Sequence, residues 1–139
     1  MGYIRETNAS DEEINILGRD NYRKFRPDVY NFSIGGKRIT VNKVLFKETA
    51  KASVDKDSKS YFYKNEVCRN LDRYMKEANE IAPEPINNHN SPRSKAYKLK
   101  QKLSQMRVFS VEVNGVRMIM KAGVYKNSGN MIAYTCYIE

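Results

Sequence analysis

The chain has 139 residues, 40% of them hydrophobic, with ten Tyr, five Phe and no Trp, which predicts one folded domain spanning 1–139. A net charge of +9, with no apolar run of membrane-spanning length, excludes a helical membrane protein and favours an anionic partner. Two cysteines and one histidine, without a Cys-x-x-Cys pair, argue against a structural zinc site or disulfide framework and point to no cofactor; they fit a reducing, cytoplasmic setting.

Met1-Gly2-Tyr3-Ile4-Arg5-Glu6 has no secretory apolar core, and Glu6 stands where a myristoylation pattern wants Ser or Thr. Ser10-Asp11-Glu12-Glu13 reads as a capping box opening a helix over about Asp11 to Phe25, stopped by Pro27. Phe32 to Val41 has a hairpin pattern around Gly35-Gly36, a pair that tolerates the positive φ of a two-residue turn. Its second strand is expected to run on as far as Phe46. Lys47 to Ser60, rich in Lys, Asp and Ser, reads as a loop or a short exposed helix.

Val67, Leu71, Tyr74, Ala78 and Ile81 follow a helical period, so a helix is predicted from Tyr61 to Ile81, ended by Pro83 and Pro85. Ser91 as N-cap and Pro92 as first residue restart a helix with Ala96, Leu99 and Leu103 as its apolar stripe. Lys95, Lys98 and Lys102 form a second stripe, about 100° round the same helix.

Asn114-Gly115 is a type I′ turn signal that sets Val113 opposite Val116, Val111 opposite Met118 and Phe109 opposite Met120. These six apolar residues define a core face, while Glu112 meets Arg117 on the other. Lys126 to Asn130 turns the chain again, and Met131 to Ile138 supplies a third strand. The fold class is α+β: two or three helices on antiparallel strands, with an N-terminal β-hairpin and a C-terminal three-stranded meander. Cys68 and Cys136 fall in helical and strand patterns as small buried thiols.

Charge divides the chain unevenly. Residues 91–139 hold nine Lys and Arg against two acids, so seven of the nine net charges sit there and residues 1–90 are nearly neutral. Arg93, Lys95, Lys98 and Lys102 form a strip able to track phosphates by counterion release, and Arg107, Arg117 and Lys121 extend it if the meander lies alongside. Tyr97 on the basic helix, with Tyr125, Tyr134 and Tyr137, offers rings that stack on unpaired bases or else fill a core. A solvated helix face explains the same lysines without any ligand. His89, in Asn87-Asn88-His89-Asn90, is an exposed loop residue without a catalytic motif. Glu66, Asp72 and Glu77 read as solvated partners of Arg69, Arg73 and Lys76 rather than metal ligands. The bias toward Lys, Asn, Ile and Tyr matches A·T-rich genomes, and hence a phage, mobile-element or low-G·C bacterial source.

The basic helix with the turn in Val113-Asn114-Gly115-Val116-Arg117-Met118-Ile119-Met120 and the closing strand Met131-Ile132-Ala133-Tyr134-Thr135 resembles the C-terminal half of RelE-like ribonucleases, the wider group of barnase, EndoU and the colicin E5 and D nuclease domains. The resemblance covers residues 91–139. It implies a metal-independent endoribonuclease of toxin type in which Arg117, two residues after the turn glycine, stabilises the transition-state phosphate. Where the family carries lysines before the turn this chain has Val108 and Ser110, and no basic tail follows Glu139. Either the active site is rebuilt from Lys98, Lys102, Arg107, Lys121 and a Tyr around Arg117, or the scaffold is shared and the chemistry is not.

Three functions fit these residues. The first is a nucleic-acid-binding protein, RNA ahead of DNA, acting as an accessory or host-directed factor on a nucleic acid or nucleoprotein. The second is the ribonuclease. The third is a basic inhibitor or assembly protein of an acidic protein partner, with no membrane involved.

Overall fold

A computed structural model describes residues 29–51 and 58–139. The helix expected over Asp11 to Phe25 lies outside the described residues. Six strands form one mixed sheet in the order β1-β2-β6-β5-β4-β3, with four helices among the described residues, an α+β architecture.

The N-terminal hairpin is present, β1 (Tyr30–Ile34) pairing with β2 (Lys37–Val41) around Gly35 and Gly36, both at positive φ. The second strand stops five residues short of Phe46. The Asn42 side chain accepts the Val44 amide at 2.9 Å, an N-cap arrangement that starts α1 (Lys43–Lys51) in its place. α1 flanks β6 beyond the end of β2. Thr49 Oγ1, fully buried, accepts the Cys136 amide at 2.9 Å where no strand is present to do so.

The long helix expected over Tyr61 to Ile81 is three elements. α2 (Ser58–Arg69) and α3 (Leu71–Met75) break at Asn70, whose side-chain amide donates back to the Glu66 carbonyl. Val67, Leu71 and Met75 keep the helical period and are buried. The chain then becomes an edge strand, β3 (Asn79–Pro85), pairing antiparallel with β4. Pro83 and Pro85 hold Ala82 and Glu84 extended, and an edge tolerates the missing amides. Ile81 is therefore a half-exposed strand residue, not the end of a helical stripe.

α4 covers Lys95–Gln101, starting later than Ser91-Pro92 suggests. Ser94 is the N-cap, its hydroxyl accepting the Tyr97 amide at 3.1 Å, while Ser91 and Ser94 close a turn just before. Leu103 is not the last residue of the apolar stripe but the first of β4 (Leu103–Val113).

The meander follows its predicted register. β4 pairs with β5 (Val116–Tyr125) through Phe109–Met120, Val111–Met118 and Val113–Val116, and β5 pairs with β6 (Met131–Ile138). Asn114 and Gly115 both have positive φ, 49° and 81°. Gly115→Val is expected to destabilise the protein by about 1–3 kcal/mol, because a β-branched residue is strained at that φ; a shift in urea midpoint with unchanged slope checks it.

The one parallel contact, Ile39–Met131 and Thr40–Ile132, joins the hairpin to the meander and makes the sheet mixed rather than antiparallel throughout. One face carries Ile39, Val41, Phe109, Val111, Met118 and Met120 beneath α1, α2 and α3. Leu103, Met106, Ile132 and Tyr134 form a second cluster, with Leu99 of α4 packed against it. Tyr30 fastens β1 to the α2–α3 junction: its hydroxyl donates to the Cys68 carbonyl and accepts the Leu71 amide. Burial pushes its pKa up to about 12. Cys68 and Cys136 are free, buried thiols, and contact with Cys68 together with burial raises the Cys136 thiol well above its usual range.

Candidate nucleic-acid interface

From Pro85 to Val111 the chain contains no acidic residue, and α4 stands in the middle of that stretch. Lys95, Lys98 and Lys102 are exposed, Lys102 as the C-cap. Arg93 is exposed in the turn before the helix. Among the described residues, none of the four forms an ion pair. Lys100 is held differently: its ammonium donates to the Asn87 carbonyl at 2.9 Å and lies 5.5 Å from the centre of the Tyr134 ring.

The three candidates from the meander are placed otherwise. Arg107 makes a two-pronged contact with Glu80 of β3, Nε to Oε2 at 2.7 Å and Nη2 to Oε1 at 2.6 Å. The hydrogen bonds from Arg107 hold the Glu80 carboxyl below its usual range. Lys121 lies 2.8 Å from Glu84. Burial pulls Lys121 down, but Glu84 and Tyr137 outweigh it and its pKa is raised. Arg117 Nε lies 3.2 Å from Glu139, so its ion pair is with the C-terminal residue and not with Glu112 opposite it in the hairpin. Each of these cations meets a carboxylate.

Nor do the five candidate catalytic side chains converge. Arg107 lies opposite Ala122 and Lys121 opposite Val108, so the two emerge on opposite faces of the sheet. Lys98 and Lys102 are at the start of β4, and Arg117 lies opposite Glu112, next to its last residue. Most of the length of that strand, about 30 Å, separates them.

The tyrosines are largely covered. Tyr134 is buried under Lys100, and Tyr137 lies under Lys121, whose ammonium is 5.4 Å from its ring centre. Burial, with a contribution from Glu48, pushes the Tyr134 phenol up to about 12. Tyr97 and Tyr125 are half-buried, Tyr125 against the second cluster. The rings serve the core more than they offer stacking platforms. What remains at α4 is a set of point charges suited to phosphate contact without base readout.

A separate open cleft of about 860 Å³ lies between α3, the start of β3 and the β4–β5 turn. Arg73, Lys76 and Arg117 line it with Glu77, Glu112 and Ser110. Its signs are mixed. The sequence could not place it, because it depends on β3 replacing the end of a helix. Among the described residues there is no cluster of three metal-ligating side chains, no helix is long and apolar enough to cross a membrane, and His89 is exposed. Comparison of the chain with protein-family models, characterised proteins and solved structures finds no match.

Proposed function

We propose that the protein binds nucleic acid through its phosphate backbone, along a surface that begins at Arg93, Lys95, Lys98 and Lys102. The observation that carries this reading is that four exposed cations crowd one short helix and its approach, within a 27-residue stretch free of acids. A merely solvated helix usually interleaves both signs; α4 has only one. Such a surface suits an accessory or host-directed factor, of phage or mobile-element type, acting on a nucleic acid or nucleoprotein. RNA is the first ligand to test and DNA the second.

The test is fluorescence anisotropy with a 5′-labelled, mixed-sequence 20-base RNA and its DNA counterpart in EDTA, followed by gel analysis of the recovered strand. Saturable, salt-sensitive binding with the strand intact is the expected result. No binding to either strand, with tight association to an acidic protein, would replace this reading with that of an inhibitor or assembly factor.

A second reading, a metal-independent RelE-like endoribonuclease, is favoured by the position of Arg117 in a cleft beside two further cations, Arg73 and Lys76. There a cationic side chain would stabilise the phosphorane formed as the 2′-hydroxyl attacks. On this reading Arg117→Ala lowers cleavage by on the order of 10²-fold and leaves binding largely intact. Cleavage assays on tRNA, mRNA and ribosome-bound mRNA with EDTA present check it, and absence of cleavage by the wild-type protein removes it.

A further inference from the structure

The basic helix does not stand alone on its end of the sheet. Lys102 accepts the Lys126 amide through its carbonyl at 2.9 Å, tying the end of α4 to the β5–β6 turn. That turn in turn touches the N-terminal hairpin: Lys37 Nζ donates to the Ser128 carbonyl at 3.3 Å, and the Arg38 amide donates to Asn130 Oδ1 at 3.3 Å. The parallel contact between β2 and β6 produces this arrangement, since it sets the start of β2 beside the start of β6.

Arg38 also faces the right way. Ile39 points into the main core, so Arg38, its neighbour on the strand, points to the other face, the one on which Leu99 of α4 packs with Leu103 and Tyr125. Lys37, Arg38, Lys102 and Lys126 are all exposed. From β2 to β4 is three strand spacings, about 14 Å, the axial rise of roughly four nucleotides of one strand. Glu48 of α1 is within electrostatic reach of Tyr134, farther along β6.

Resting on the nucleic-acid reading above, we infer that the binding surface is composite: Arg38 of the hairpin and Lys126 of the β5–β6 turn continue the α4 strip, so that one phosphate backbone crosses this end of the sheet from α4 to the hairpin. A residue of the nearly neutral N-terminal half thus belongs to the site. Sequence could not place it there, because Arg38 and Asn130 meet across 92 positions.

The double variant R38Q/K126Q tests this, with K43Q/K47Q as the charge-matched control. Lys43 and Lys47 lie on α1, which continues past the far end of β2, both exposed and both away from the proposed path. Binding of the labelled 20-base RNA is measured for each from 50 to 300 mM salt, with melting temperatures to confirm folding. R38Q/K126Q should flatten the slope of log affinity against log salt by about 1.4 and weaken binding roughly 25-fold at 0.1 M salt, while the control stays near wild type. A wild-type slope in R38Q/K126Q, or equal losses in both pairs, overturns the composite surface while the α4 site stands. Failure of the wild-type protein to bind overturns both.

Discussion

Lys95, Lys98 and Lys102 changed together to Gln should weaken binding of single-stranded nucleic acid by roughly 10²-fold at 0.1 M salt. Each neutralised phosphate of a single strand contributes about 0.7 to the salt slope, hence about fivefold in affinity at that concentration. The fold should not respond. All three side chains are exposed, Lys102 lies at the C-cap, and Gln is close to Lys in helix propensity. Titrations of both proteins at several salt concentrations, paired with melting curves, read the effect. Wild-type affinity and slope in the variant would reduce the stripe to a solvated face.

The largest effect on stability should come from Met120. It is fully buried at the middle of β5, opposite Phe109 on one side and Cys136 on the other. Met120→Ala removes a thioether from beneath the helices and is expected to cost about 2–5 kcal/mol, depending on how far the site collapses. That is a large part of the roughly 5–15 kcal/mol that holds a typical domain together. Urea unfolding should show a lower midpoint at unchanged slope. A loss below about 1 kcal/mol would mean that this face is not the tightly packed core described here.

What the sequence made legible was local. Alternation around Asn114-Gly115 determines the β4–β5 register within twenty residues, and the Gly35-Gly36 hairpin is equally self-contained. Legibility failed where a distant partner decides. Asn79, Glu80 and Ile81 are strand because β4 pairs with them, although Ile81 falls on a helical period with Val67 and Leu71. That single misreading also hid the acids. With β3 taken for a helix end and a loop, nothing in the sequence placed Glu80 against Arg107 or Glu84 against Lys121.

α1 was hidden by a different competition. Val44, Leu45 and Phe46 read as continuing strand, but the Asn42 side chain caps the Val44 amide and Leu45, Phe46 and Thr49 are buried as one helix face. At the basic helix the lysine stripe was readable from spacing alone, since Lys95, Lys98 and Lys102 keep one face whether the helix begins at Pro92 or Lys95. Arg38 was not, because its place follows from the β2–β6 contact.

The most direct test of nucleic-acid binding by this surface is the salt dependence of wild-type affinity for the 20-base RNA. Four exposed cations at and before α4 predict a straight line of log affinity against log salt with a slope of at least about three in magnitude. A flat line, or no saturable binding at 50 mM salt, would contradict it.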